Sequence, residues 1–437
     1  MRKDLPRSIG FWGGSAIMVG IIIGSGIFRT PASIAKELGS PSVILLLWLV
    51  GGILSLFGAF AYAELGTMFP RSGGIYVFIN EGMGPMVAFV FGWTYALITK
   101  PMAAAGIAMV FSEHFNELFG LTWDPRYVTC VVLIGLTAVN TVRVTLGAGL
   151  AVVLTGLKAA ALLAIVALAV VMTKGDTANF IAVAAPKPFL AALAPALAAI
   201  LWTYDGWSDV AAVAGEVREP QKLLPRIFLV GTAATIILYL AVNAVYIWMV
   251  PLTEMRSVPT VAPLVMERLL GPAGAIAVTL MVMVSTFGAT HGSIITGARV
   301  TFAQARDGLL FSFLGRIHPT FRTPDVSLWI QAALSCLAVV CLKRFEKLTG
   351  GFVFTMWIFY ACATAGVIIL RVRRPDLARP YRCVGYPWVP ILFVLAAAAM
   401  TVLSIREDPR NTLPWLGVLL LGTPAYFLWR RLAGVQR

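Results

Sequence analysis

Ile17-Met18-Val19-Gly20-Ile21-Ile22-Ile23-Gly24-Ser25-Gly26-Ile27-Phe28 lies in the first long apolar run, and Gly24-Ser25-Gly26 decides how the run is read. A helix in hydrocarbon loses backbone hydrogen bonds where glycines let it unwind, and lipid supplies no replacement partner. Such a break is tolerable where it faces a polar cavity, and its freed N–H groups can then hold an anionic ligand. A second break is expected at Tyr204-Asp205-Gly206-Trp207, in another apolar segment near the middle of the chain. Two interrupted helices in corresponding positions of two halves predict a secondary transporter.

Composition agrees. Of 437 residues 59% are hydrophobic and 12% charged, and the mean hydropathy is +0.86, which soluble domains do not sustain. About twelve spans are expected, at 9–38 (broken), 43–68, 85–111, 127–142, 146–172, 189–215 (broken), 224–250, 273–298, 325–342, 347–370, 388–405 and 412–430. The net charge of +14 raises nucleic acid as a partner, but the placement of the basic residues argues against it. With the N-terminus inside, cytoplasmic segments hold 20 of the 34 Lys and Arg residues and the other side 12, while Lys100 and Lys158 fall within spans. That bias predicts both termini in the cytoplasm. The basic excess is a topology signal.

Other classes find little support. The first apolar run continues past any plausible signal-peptide core, so no cleaved leader is expected. Cys130, Cys336, Cys341, Cys362 and Cys383 show no CxxC spacing and read as small core residues. His114, His291 and His318 are scattered, and neither a metal motif nor a phosphate-binding loop occurs. No cofactor, metal or ATP-driven step is expected, and a membrane enzyme would need acids and histidines clustered at the surface.

The connections at 112–126, 173–188, 251–272, 300–324 and 371–387 are short. Thr253 to Leu270 reads as a short pair of helices forming a lid, and Ser72 to Gly84 as an interfacial helix. Five spans separate the two breaks, and an odd number of helices per half inverts the second half. The whole chain, 1–437, is thus read as one transporter domain: a first repeat at 1–172, a second at 189–370, and two terminal helices at 388–430.

Several motifs resemble those of one family. Val19 to Phe28 resembles the first helix of the L-type amino acid transporter (LAT) family, in the amino acid–polyamine–organocation (APC) superfamily. Trp202-Thr203-Tyr204-Asp205-Gly206-Trp207, then Gly215-Glu216-Val217-Arg218-Glu219-Pro220 and Leu224-Pro225-Arg226, is similar to its sixth helix and following loop. Tyr62-Ala63-Glu64-Leu65-Gly66, Pro70-Arg71-Ser72-Gly73-Gly74, Ala305-Arg306-Asp307-Gly308, His318-Pro319 and Tyr386-Pro387-Trp388-Val389-Pro390 extend the match over nearly the whole chain. The resemblance implies an all-α polytopic membrane protein with a LeuT-type 5+5 inverted repeat, discontinuous first and sixth helices and two further C-terminal helices. It also implies exchange of amino acids across the plasma membrane. Eukaryotic members of the family pair with a glycoprotein through a cysteine after the third span. Loop 112–126 has none, so the chain resembles bacterial members that work without a disulfide-linked heavy chain.

A zwitterionic amino acid needs partners for its carboxylate and its ammonium. The N–H groups of Ser25, Gly26 and Ile27, at a helix N-terminus, are expected to hold the carboxylate, with the Ser25 hydroxyl assisting and Gly24 and Gly26 admitting close approach. The ammonium is assigned to freed carbonyls at Ile22, Ile23, Trp202 and Asp205, beside Gly206. The alternative for the small residues is helix packing. Trp202 matches the aromatic that gates the family's pocket. Asp205, read as the one acid inside a span beside a break, either receives a cationic side chain or caps the unwound turn. Neutral substrates are expected first and cationic ones second.

Lys158 is too deep in its apolar helix to reach water easily. In sodium-coupled relatives of this fold a cation bridges the first, fifth and eighth helices. By that resemblance the Lys158 ammonium would occupy the cation's place, touching carbonyls near Gly24 and the hydroxyl of Ser285 or Thr286. A permanent Lys158 cation implies sodium-independent exchange, whereas a proton-carrying one implies proton-coupled symport. Lys100-Pro101 is similar to a basic-Pro pair of some members and is expected to border the pocket or the pathway, where proline frees a carbonyl. Glu64, Glu216 and Glu219 with Arg71, Arg218, Arg306 and Arg322 are candidates for inner-gate pairs, with solvated loop charge as the plainer reading.

Overall fold

Proline opens many of the long helices: Pro41, Pro85, Pro125, Pro220, Pro272 and Pro409 each stand at a first helical position. There its missing N–H is an unpaired group in any case and its fixed φ suits the helix. The computed structural model describes residues 7, 9–71, 73–142, 148–321 and 323–432. Arg2, Lys3, Ser72, Arg143, Arg322 and Arg437, counted or quoted above, lie outside them, as do the first positions of the fifth expected span. Among the described residues the regular structure is helical, and twelve helices are long and apolar enough to cross a membrane. These are Phe11–Ala35, Pro41–Met68, Pro85–Phe119, Pro125–Val142, Thr155–Met172 and Phe189–Glu216, then Pro220–Met249, Pro272–Arg306, Asp325–Leu342, Phe345–Arg373, Trp388–Glu407 and Pro409–Arg431. They are called spans 1 to 12. Even-numbered spans end on the face from which span 1 starts, here the terminal face.

Two expectations about connections change. Span 3 runs to Phe119, absorbing most of loop 112–126, because Phe111, Phe115 and Phe119 stack along one side at 6.0 and 4.8 Å. The helix at Ile75–Met83 is not interfacial. Its Ile75, Tyr76, Val77, Phe78 and Ile79 are buried, and it packs against span 10. The expected helix pair between spans 7 and 8 is present as Leu252–Met255 and Val261–Leu270. It lies on the opposite face, where Thr260 and the buried His114 share a hydrogen bond of 3.2 Å.

Charge ties the terminal face together. Glu64 of span 2 is fully buried and accepts from Arg371 Nη2 at 2.6 Å and Nε at 3.0 Å. The Cys383 N–H adds a bond of 2.6 Å, and Arg379 Nε stands 3.6 Å away. Arg371 also lies 3.8 Å over the Tyr386 ring. Before span 1, Ile9 bridges the chain beyond span 6, donating to the Glu216 carbonyl at 2.9 Å and accepting from the Arg218 N–H at 2.8 Å. Of the other inner-gate candidates, Arg71 pairs with Glu81, Glu219 with Lys222 at 2.7 Å, and Glu216 of span 6 with Arg299 of span 8 at 4.0 Å.

Removing one partner of a buried ion pair strands the other charge. Arg371→Met is therefore expected to destabilise the protein by about 3–5 kcal/mol. Thermal unfolding in detergent reads this directly, and a midpoint equal to that of the parent would contradict the assignment.

Candidate functional site

Both expected breaks are present. The first half of span 1 ends at Ile22, and the second half begins at Gly26. Arg29 N–H is the first to close on this second half, at 3.3 Å from the Ser25 carbonyl. The N–H groups of Gly26, Ile27 and Phe28 therefore have no partner within their helix. The Ser25 hydroxyl is buried beside them and has no hydrogen-bond partner among the described residues. In span 6 the α-helix stops at Tyr204. Asp205 is extended, and the chain continues as a 3₁₀ helix at Asp209–Glu216.

Glycine is required where the breaks meet. Gly206 has φ +113°, and a Cβ there would lie 2.9 Å from the Ile22 nitrogen. A Cβ on Gly26 would lie 2.8 Å from Thr203 Cα. Each break thus seats its backbone directly on the other.

Between them is a small hollow with a cavity volume of about 40 Å³. Span 1 contributes Ile21, Ile22, Gly24, Ser25 and Gly26, and span 6 contributes Trp202, Asp205 and Asp209. Lys100, Ala103 and Ile107 of span 3 face Ala289, Ser293 and Thr296 of span 8, with Phe352 of span 10 beside them. A second hollow shares Lys100, Asp205, Asp209 and Phe352 and leads past Tyr360, Val300 and Ala212 to Gly73 and Gly74 near the terminal face. Towards the opposite face the site is closed. Trp202 stands edge-on to Phe352 at 5.0 Å and to Phe345 at 6.2 Å, and the Arg29 guanidinium lies 4.8 Å over Phe345. Arg29 also pairs with Glu113 and, at 3.4 Å, with Glu346.

The carbonyls freed by the first break are mostly taken by the protein, which corrects the expected ammonium site. In an unbroken helix Gly20 to Ile23 would accept from residues 24 to 27. Gly24 N–H turns instead to the Ile22 carbonyl at 2.7 Å, and Tyr239 donates to that same oxygen at 2.7 Å. Ser285 donates to the Ile23 carbonyl at 3.3 Å, and Lys158 to the Gly20 carbonyl at 3.2 Å. The Ile21 carbonyl is left without its helical partner, the Ser25 N–H. Burial drives this, since carbonyls in a dry interior need partners from somewhere. The Trp202 carbonyl likewise accepts from Asp205 N–H at 3.1 Å. The buried Ile23 and Ile27 and the packed Gly206 line neither hollow.

The cluster expected around Lys158 is rearranged. Lys158 reaches the half of span 1 before the break, one turn short of Gly24, and Thr155 joins it by donating to Ala16 O at 2.9 Å. Thr286 bonds back to Val282 O at 2.8 Å and Ser285 serves Ile23, so neither hydroxyl bonds Lys158. Back-bonding of this kind is common for Ser and Thr in helices.

Of the two places expected for Lys100, the structure shows it lining the hollow itself. A π-helical turn at Tyr95–Thr99 runs into Lys100-Pro101, where the proline lacks an N–H. Lys100 Nζ is 3.6 Å from Asp209 Oδ1, 3.5 Å from Thr296 Oγ1 and 5.7 Å from the Tyr95 ring centre. Asp205 Oδ1 accepts from Tyr360 at 2.6 Å, and Tyr360 is 2.9 Å from Ser208 Oγ. Asp205 is therefore not the one acid beside the break: sequence reasoning missed Asp209, along with Tyr360 and Thr296. A second acid four residues after Asp205 was the available signal.

Gly206→Ala places a side chain at positive φ and against the Ile22 nitrogen. It is expected to destabilise by about 1–3 kcal/mol from backbone strain alone. Gly417→Ala, whose Cβ would meet nothing within 4 Å, is the control. Equal thermal midpoints for the two variants would contradict the described contact between the breaks.

Comparison with known proteins agrees with this arrangement. A family model described as amino acid permease matches residues 9–422. The chain is 33% identical to the human (Homo sapiens) cystine/glutamate transporter, over 98% of this chain and 86% of that one. It is 30% identical to the b(0,+)-type amino acid transporter 1 of Mus musculus, over 98% and 88% respectively. Identity is 29% with the serine/threonine exchanger SteT of Bacillus subtilis (strain 168), over 97% of both chains. The broken helices, the hollow between them and these matches place the chain in the amino acid permease family of the APC superfamily, as a LAT-type, multi-pass membrane protein of amino acid transport rather than an enzyme.

Proposed function

We propose that this protein exchanges L-amino acids across the cell membrane by sodium-independent alternating access, with neutral substrates first and cationic ones as a second class. The observation that carries the reading is the hollow between the two breaks, with unpaired amides and an unpartnered Ser25 hydroxyl on one wall and carboxylates on the other. The substrate carboxylate would bind the N–H groups of Ser25 and Gly26, which line the hollow where the helix dipole favours negative charge, while Ile27, expected to join them, lines neither hollow. The ammonium would take the Ile21 carbonyl, left without its helical partner, and lie towards Asp205. Trp202 would act as the gate, moving with Phe345 and the Arg29 ion pairs when the opposite face opens.

The positive-inside bias supports cytoplasmic termini, which would make the described conformation closed to the outside. We read 1–172 and 189–370 as the two inverted repeats and 388–430 as the added pair. The connection after span 3 contains no cysteine, which supports operation without a disulfide-linked heavy chain. Lys158 would serve as a fixed cation holding the first half of span 1, in place of sodium. A proton-coupled symporter using Lys158 is the second reading, favoured by a buried ammonium whose partner is a neutral carbonyl.

Counterflow in proteoliposomes tests exchange. Uptake of a labelled neutral amino acid should rise at least about tenfold when the vesicles hold unlabelled amino acid, with or without sodium. Equal uptake by empty and loaded vesicles contradicts antiport, and accumulation in empty vesicles under a proton gradient alone favours the symport reading. Lys158→Ala should abolish counterflow while the protein stays monodisperse in detergent, whereas parental exchange by this variant would remove its coupling role.

A further inference from the structure

We propose that the Lys100–Asp209 ion pair is the charge filter for the substrate side chain, rejecting unmatched charge because each partner already neutralises the other. This rests on the exchange function proposed above and adds the groups that set side-chain selectivity. The pair lies where the two hollows meet, since both residues line both of them. Its atoms are 3.6 Å apart, with side chains 9% and 14% exposed, so water screens them weakly. An amino acid anchored by its α-carboxylate at Gly24–Gly26 has spans 3 and 8 across the hollow, where Lys100 and Thr296 stand 3.5 Å apart.

The charges at that end of the hollow are one cation and two carboxylates. Asp205 is served by the Tyr360 hydroxyl at 2.6 Å, whereas Asp209 has Lys100 as its cation. A neutral side chain leaves this arrangement intact. A cationic side chain must compete with Lys100 for Asp209, and an acidic one meets two carboxylates whose nearby positive charge is already engaged. Burying a charge without a counter-ion is costly, so the internal pair makes neutral side chains the default. Neutralising one partner frees the other to recruit substrate charge of the opposite sign. The filter is thus reversible in sign by a single substitution on either side.

Competition against counterflow tests this. Labelled serine, alanine and leucine are compared in the parent, and the fastest serves as tracer against lysine and glutamate. Selectivity is read as each competitor's half-inhibitory concentration relative to unlabelled tracer, so a change in overall rate does not enter. Lys100→Gln should improve lysine by about tenfold, and Asp209→Asn should weaken lysine and improve glutamate by about tenfold. The double variant Lys100→Gln/Asp209→Asn should return both ratios towards the parent. Shifts of the same sign in both single variants, or unchanged ratios in both, would overturn the filter. If one single variant fails to fold, the other decides alone: its predicted tenfold shift supports the filter, and parental ratios overturn it. If the parent shows no counterflow, the exchange reading fails separately. Thermal-shift titration of the purified proteins with the same amino acids then decides the filter on binding alone.

Discussion

The unwound turn at Ile23–Ser25 is the constraint on which the rest of the site depends. Opening it releases the carbonyls of Gly20, Ile21, Ile22 and Ile23 and the amides of the following half-helix inside a dry bundle. Three of these carbonyls are met by side chains from spans 5, 7 and 8, namely Lys158, Tyr239 and Ser285. Three separate helices therefore hold one turn open. What they leave unmatched is one carbonyl and a set of amides on the wall of the hollow, which suits a ligand carrying both an ammonium and a carboxylate.

The second break answers the first through glycine. Gly206 lets span 6 lie on the Ile21–Ile22 backbone, so a movement of one half-helix is passed to the other by contact. On the opposite face the closing contacts gather on the segments just beyond the breaks: Trp202 before Asp205, and Arg29 after Gly26. On the terminal face Glu64, Arg371 and the chain around Cys383 form a buried polar knot between span 2 and span 10. The closure at the opposite face is intact here while the second hollow runs towards the terminal face, and on the proposed reading alternating access opens the one and shuts the other.

Much of this was legible in the sequence because it is local. Glycines flanking Ser25 and Gly206 mark the breaks, apolar runs mark the spans, and Lys100-Pro101 marks the distorted turn of span 3. The partners of the freed carbonyls were not legible, because Tyr239 and Ser285 lie 217 and 262 residues from the positions they serve. Asp209 was overlooked because the 3₁₀ winding after Gly206 returns it to the hollow, where an ordinary loop would have carried it away. The burial of Ile75–Met83 depends on span 10, nearly 300 residues later, and nothing in its own amphipathic pattern separates that partner from a membrane surface.

The central claim is that the main chain at the first break, rather than a side-chain cation, holds the substrate carboxylate. A cryo-EM structure with a bound neutral amino acid measures this directly. The carboxylate oxygens are expected about 3 Å from the N–H groups of Ser25 and Gly26. A carboxylate seated on the Lys100 ammonium, with those amides facing protein or solvent, would contradict it.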